Sequence, residues 1–316
     1  MTVGQAQASG RDQQAMLIAA MPAVFVLIWS TGFVVARYGM PHAPPLSFLA
    51  WRYALSIIAF GIWIALARAA WPQGAAQWRH LAVTGLLMHA GYLGGVWMAV
   101  RHGIGAGTSA LIVGLQPVLT AMWVALGSSA SGQERRVSAR VSARQWLGLA
   151  LGLAGVLLVV WRKLGLGEIT AFNVGCGVFA LLSITAGTLY QKRHVEACDV
   201  RTANTVQLLA ALVVTAPLAL FESAPIDYLH PQFIGAMAWS VLALTLGGSS
   251  LLYLLIQRGA ATRVTSLMYL VPPSTAVMAW VLFGEALGLP VLAGLALTAT
   301  GVWLVVASAP AKEMNP

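Results

Sequence analysis

Side chains able to bind or react are scarce in this chain, and the most telling of them stand inside apolar runs. His89 and Tyr92 recur at helical spacing with Gly85, Met88, Gly95 and Val96, on one face of a single helix. Ser249, Tyr253 and Gln257 follow one another at i, i+4 and i+8. A ring nitrogen, phenols, a hydroxyl and an amide on two such faces could line a cavity for a small polar ligand. Packing roles stay open beside that reading. A core histidine often bonds a neighbouring carbonyl, and helical hydroxyls bond back to their own i−4 carbonyl. Arg52 lies about six residues, or 9 Å, into another apolar run, so its side chain either snorkels outward or faces the interior. Trp97 falls on a different face from His89 and reads as a cavity wall or an interfacial anchor.

The chemistry that is missing narrows the field. There is no Walker loop, no HExxH and no Ser/His/Asp set, and Gly103-Ile104-Gly105-Ala106-Gly107 neither matches the dinucleotide fingerprint nor follows a strand. His194 and Cys198, at i and i+4, are too few to hold a metal. Catalysis, a cofactor, a bound metal and drive by ATP are therefore not expected. Cys176 and Cys198 fall at opposite ends of one run, too far apart for a disulfide. All nine Asp and Glu residues lie in gaps or tails. A carrier coupled to protons usually buries a carboxylate along its path, so this pattern favours passage down the solute's own gradient or coupling through another group.

The elements that must position these residues are long and apolar. Hydrophobic residues make up 59% of the chain and charged ones 9%, a balance that excludes a water-soluble fold. Runs near 16–36, 46–67, 80–100, 104–127, 145–161, 171–191, 203–221, 233–256, 261–283 and 288–307 are long enough to cross a bilayer. Backbone groups in lipid must be satisfied within their own segment, so the runs are helices and the fold class is all-α, a polytopic membrane protein of ten transmembrane helices. Of the 18 Lys and Arg residues, 13 fall on the side of the N-terminus, while Arg37, Arg101, Arg162 and Lys163 fall on the other and Arg52 within a span. Cationic loops stay cytoplasmic, so both termini are expected there. The net charge of +9 then follows from topology and gives no reason to invoke nucleic acid. The first run is long and weakly flanked, unlike a cleaved signal peptide. Residues 1–15 and 308–316 read as loosely ordered polar tails.

The chain also repeats. At an offset of 155, Gly32 meets Gly187, Arg37 meets Lys192, Leu115 meets Leu270 and Pro117 meets Pro272. At an offset of 146, Gly148 and Gly155 meet Gly294 and Gly301. Each half holds five spans, 16–163 and 164–307, and an odd number forces the second copy to enter the bilayer from the opposite face. Two inverted five-helix repeats are the architecture of alternating access. Pro117, Pro272 and Pro273 should bend equivalent helices and serve as gates or hinges. Gln116, Ser266, Tyr269 and Ser274 flank those bends, while Trp29, Ser30 and Thr31 in span one and Thr185, Thr188 and Tyr190 in span six complete the candidate walls.

Particular motifs add a resemblance. Trp29-Ser30-Thr31-Gly32-Phe33, Pro45 before Arg52, Leu115-Gln116-Pro117-Val118 and Gln145-Trp146-Leu147-Gly148-Leu149 in the first half are matched by Leu270-Val271-Pro272, Phe283-Gly284-Glu285, Gly294 and Gly301 in the second. The chain resembles the EamA branch of the drug/metabolite transporter superfamily, with two EamA units, and within it the YddG-type amino-acid exporters of bacterial inner membranes. The resemblance implies a cavity lined by spans one, three, four, six, eight and nine, a structural role for Arg52, and a Glu285 function not duplicated in the first half, where Ala130 stands at the equivalent point. It further implies a monomer that exports amino acids with aromatic and other neutral side chains. Trp29, Tyr92, Tyr253 and Tyr269 would hold the side chain; Ser30, Thr31, Gln116, Thr188, Ser249 and Ser266, with carbonyls freed at the helix bends, would surround the zwitterion, and His89 would contact the substrate or act as a protonatable gate. The competing readings are export of cationic or amphipathic drugs, which normally needs a buried carboxylate, and a lipid-modifying enzyme, which would need a dyad near one interface.

Overall fold

A computed structural model of the chain describes residues 3–127, 143–164, 169–251 and 268–307. Among these every regular element is helical: α1 (Val3–Gly39), α2 (Pro45–Ala67), α3 (Gly74–Arg101), α4 (Ala106–Val113 and Gln116–Gly127), α5 (Ala143–Leu164), α6 (Ala171–His194), α7 (Val200–Ala219), α8 (Pro231–Leu251), α9 (Val271–Phe283, entered through the 3₁₀ turn Met268–Leu270) and α10 (Leu289–Ala307). Six of these helices carry spans long and apolar enough to cross a membrane, and shorter apolar stretches lie at Ala23–Gly39, Ala106–Thr120, Val271–Phe283 and Leu289–Leu304.

Helix starts follow local chemistry. Pro45 opens α2 and Pro231 opens α8, at positions where a missing N–H costs nothing. Thr170 and Asn173 form a reciprocal capping box at the start of α6, and the Asp199 carboxylate caps α7. Gly284, at φ 66°, closes α9 in the left-handed conformation that glycine adopts without strain. Residues 3–15, read from the sequence as a loose tail, are instead the first turns of α1. Ala, Gln and Met are good helix formers, and extending an existing helix avoids the cost of nucleation.

The bundle is inverted relative to a water-soluble core. Trp123, Leu157, Trp161, Val213 and Val281 point outward, while the hydroxyls of Ser30, Ser56, Thr84 and Thr275 are sealed inside. Trp97, read as a wall or an anchor, is neither: it is 1% exposed and stacks on Phe48 at 4.4 Å, because glycine at position 39 leaves room for both rings.

Close approaches fix how the helices run. α5 packs along α10, where Gly155 meets Gly294 and Gly301 meets Gly148 backbone to backbone, so the two are antiparallel. α3 packs along α6 through Gly187 on Met88 and Gly95 on Ala180, again antiparallel. α1 packs along α8 in the same sense, with Gly32 facing Leu244 and Gly248 facing Ile28. Two helices depart from α geometry in their middles: α3 is a π-helix over Leu86–Leu93, and α8 is a π-helix over Ser240–Gly248.

Candidate functional site

The π-helical stretches of α3 and α8 converge on Arg52. Its Nε and Nη2 donate to Thr245 Oγ1 at 3.2 and 3.1 Å, and Thr245 Oγ1 donates in turn to the Ser240 carbonyl at 2.8 Å. Arg52 is 7% exposed, so it faces the interior and does not snorkel. Beside it on α2, Tyr53 Oη donates to the His89 carbonyl at 2.9 Å. Gln207 of α7 lies beside the His89 ring, and His89 and buried Tyr92 lie within electrostatic reach of the guanidinium. Every cation at membrane depth costs about 2.5–3.5 kcal/mol on insertion scales. Here no carboxylate among the described residues offsets that cost.

A π stretch shifts the register of its helix by one residue and exposes carbonyls that an α-helix would use, and such stretches occur most often where a helix does something besides pack. Here each supplies site residues: His89 and Tyr92 from α3, Ser240 and Thr245 from α8. The hydroxyls of Ser240 and of Ser56, one turn along α2 from Arg52, are buried without a partner.

The other half of the candidate wall is built around two helix breaks that touch. α4 is interrupted at Gly114–Leu115 and α9 begins after a 3₁₀ turn, and Gly114 packs on the Pro272 ring. Pro117 and Pro272 stand in the first turn of a helical segment, so each marks a restart where the sequence suggested a bend within a continuous helix. Pro273 follows in the same turn. Gln116 Nε2 donates to Thr188 Oγ1 at 3.0 Å, joining α4 to α6, and Thr275 Oγ1 donates to the Ser30 carbonyl at 3.1 Å, joining α9 to α1.

Several predicted wall hydroxyls bond to the bundle itself. Ser30 donates to Val26, Thr188 to Ile184 and Thr185 to Leu181, each four residues back, and Thr31 donates to Ile28 while accepting the Trp239 indole N–H at 2.8 Å. Trp29 is half-buried, 5.2 Å from Phe25 and beside Gly248. Tyr190 bonds the His80 ring at 2.8 Å and stacks on His194. Ser249 directly follows the π stretch and is half-buried, as is Ser274 in α9. Tyr253, Gln257 and Ser266 lie outside the described residues, and Tyr269 is described only as part of the 3₁₀ turn. A cleft of about 490 Å³ opens between the ends of α1, α3, α8 and α9, lined by Arg37, Tyr38, Arg101, Gln232 and Phe283.

The model of the EamA-like transporter family matches twice, at residues 16–161 and 172–307. The chain belongs to the EamA-like transporter family. This EamA protein is therefore a multi-pass membrane transporter and not an enzyme. It is 27% identical over 292 residues to a probable amino-acid metabolite efflux pump of Salmonella typhimurium, covering 89% of this chain and 92% of that one. It is 25% identical to a protein of the same description in Escherichia coli (89% and 92% covered) and 25% identical to an uncharacterized transporter of Bacillus subtilis (92% of each chain). A solved crystal structure shares the fold with a TM-score of 0.61 at 18% identity, over 90% of this chain and 95% of that one.

For this EamA transporter the sequence picked out His89, Tyr92 and Arg52 separately but missed that they lie within electrostatic reach of one another. It also missed Thr245, Ser240 and Gln207. The signal for Thr245 was present: a lone threonine between leucines in an apolar run, 14 residues inside the start of α8.

Proposed function

We propose that this protein exports amino acids with aromatic and other neutral side chains across a bacterial inner membrane, by alternating access of two inverted five-helix units, residues 16–163 and 164–307, with both termini cytoplasmic. The observation that carries the reading is the pairing of the π stretches. Moving Leu86–Leu93 along by 155 residues gives 241–248, which falls within Ser240–Gly248. A feature this rare at one offset in both halves is what duplication of a functional unit would produce.

Two further facts support inversion. The first and fifth helices of one half pack antiparallel to the third and fifth of the other, as α1 on α8 and α5 on α10 do, and the contact of α3 with α6 repeats that of α8 with α1. A second copy inserted in the same sense would run parallel along α5 and α10. The touching breaks in α4 and α9, also one offset apart, would form the shared gate, with Pro117, Pro272 and Pro273 setting where each helix restarts. The bias of cations to the side of the N-terminus supports the orientation.

The substrate class is supported by the printed descriptions of the relatives and by the mix of groups around the centre. Trp29 and Tyr92 would bear on an apolar side chain; His89, Gln116, Thr188 and Ser249 offer hydrogen bonds; Ser30 and Thr31 would act through their positions in the wall. The cleft lined by Arg37 and Arg101 would be the approach from the outer face. The absence of a carboxylate at membrane depth among the described residues weighs against cationic drugs as cargo. The protein reconstituted in liposomes should move labelled phenylalanine at least tenfold faster than empty vesicles. If phenylalanine and a panel of other amino acids all cross at the empty-vesicle rate, the substrate class is wrong.

A further inference from the structure

We infer that the Arg52 guanidinium, held by Thr245 between the π-helical stretches of α3 and α8, is the subsite for a substrate carboxylate. The inference rests on the amino-acid reading above and goes beyond it by naming the group that receives the acidic end of the substrate.

The geometry of one side chain makes the case. A guanidinium carries five N–H donors in a plane, arranged as two usable edges. In Arg52 the Nε/Nη2 edge is spent on Thr245 Oγ1, and that oxygen is itself oriented by its bond to the Ser240 carbonyl. The Nη1/Nη2 edge donates to nothing in the described protein. That edge is the fork that accepts a carboxylate through two parallel hydrogen bonds. Arginines held inside a bilayer for structure alone are normally met by a carboxylate or by backbone carbonyls. Here the carboxylates that could serve are committed elsewhere: Glu222 to the start of α2, Glu285 to the start of α4 and Asp199 to Arg201.

The surroundings fit a ligand that is anionic at one end and apolar at the other. The unpartnered hydroxyls of Ser56 and Ser240 lie along the same α2–α8 seam and can donate to a second carboxylate lone pair. Buried Tyr92 adds an aromatic ring within electrostatic reach of the charge. The His89 carbonyl accepts from Tyr53, the neighbour of Arg52 on α2, and the His89 ring lies within electrostatic reach of the guanidinium.

The test compares three labelled probes in liposomes bearing the full chain: phenylalanine, phenylalaninamide, in which the carboxylate is replaced by a neutral amide, and 3-phenylpropionate, which keeps the carboxylate and lacks the ammonium group. Wild type should move phenylalanine at least tenfold faster than the amide. Arg52→Gln should cut phenylalanine flux tenfold or more, with a raised KM, and abolish the preference over the amide, while Arg52→Lys keeps part of it. Equal flux of acid and amide in wild type overturns the inference, and so does an Arg52→Gln variant that slows both probes in the same proportion. Should Arg52→Gln fail to fold, the wild-type comparison of acid with amide decides alone. If wild type moves no amino acid, the amino-acid reading falls, and the subsite is judged by thermal melting in detergent. A Tm raised by 3-phenylpropionate in wild type and raised less in Arg52→Lys upholds it, while no shift in wild type, or an equal shift in both, removes it.

Discussion

Two glutamates do their work at helix starts. Glu285, just past the end of α9, accepts from the Ala106 backbone N–H at 2.9 Å, and Glu222, just past α7, accepts from Leu46 and Ser47 at 3.0 and 2.8 Å. Each places a negative charge on the unsatisfied N–H groups of another helix, where the helix dipole favours it. Glu285→Ala leaves the first turn of α4 uncapped and should lower stability by about 1 kcal/mol, read as a reduced Tm in detergent. Glu222→Ala removes three hydrogen bonds, including one from the Ser47 hydroxyl at 2.9 Å, and should cost more than Glu285→Ala in the same measurement. Neither role was legible in the sequence, because the bonds link residues more than 170 positions apart. The sequence did leave a trace of the Glu285 role: the run Gly103-Ile104-Gly105-Ala106-Gly107, which matches no phosphate loop, clears space for a carboxylate that the chain itself provides. A side chain at position 105 would fall on the Glu285 carboxyl group.

At the scale of the element, glycine decides which helices touch. A Cβ at Gly85 would sit inside the Gln207 backbone, and one at Gly301 inside that of Gly148, whereas Gly61 of α2 faces open space. Overpacking costs typically about 1–3 kcal/mol where neighbours can shift, and backbone cannot shift far. Gly85→Leu and Gly301→Val should therefore sharply reduce folded protein recovered from membranes, while Gly61→Ala leaves it equal or slightly higher through better helix propensity. Equal recovery for all three would mean that these contacts do not hold the bundle together. The apolar runs were readable because lipid demands their length, and the packing of α5 on α10 was foreshadowed by Gly148, Gly155, Gly294 and Gly301. The π stretches were not. Reading α3 with a uniform 3.6-residue period put Gly85, His89 and Gly95 on one face, but the wider turn splits them: Gly85 faces α7, Gly95 faces α6 and His89 lies by Arg52. Arg52 looked like a lone structural cation because its partner is 193 residues away.

The molecule as a whole must open at alternate ends if two inverted units exchange conformations, so contacts joining the units at one end have to break in each cycle. One such contact is well defined. The loop after α1 meets the loop before α8, where the His42 and His230 rings stack at 3.6 Å, His42 Nε2 and Gln232 Oε1 lie 2.9 Å apart, and the Asp227 N–H donates to the His42 carbonyl at 2.8 Å. His42 belongs to the first unit and His230 to the second, beside the cleft that Gln232 helps to line. Rocking one unit against the other would separate the stack, while packing between fixed halves would preserve it. With Cys176 and Cys198 removed, a His42→Cys/His230→Cys pair bridged by a short bifunctional thiol reagent should stop phenylalanine flux, and a reductant should restore it. The same reagent on either single variant should leave flux intact, since blocking the cleft by bulk alone would slow all three. Flux that continues through a bridged pair would mean that the units stay together at this end, and alternating access by rocking would have to be abandoned in favour of movement within one unit.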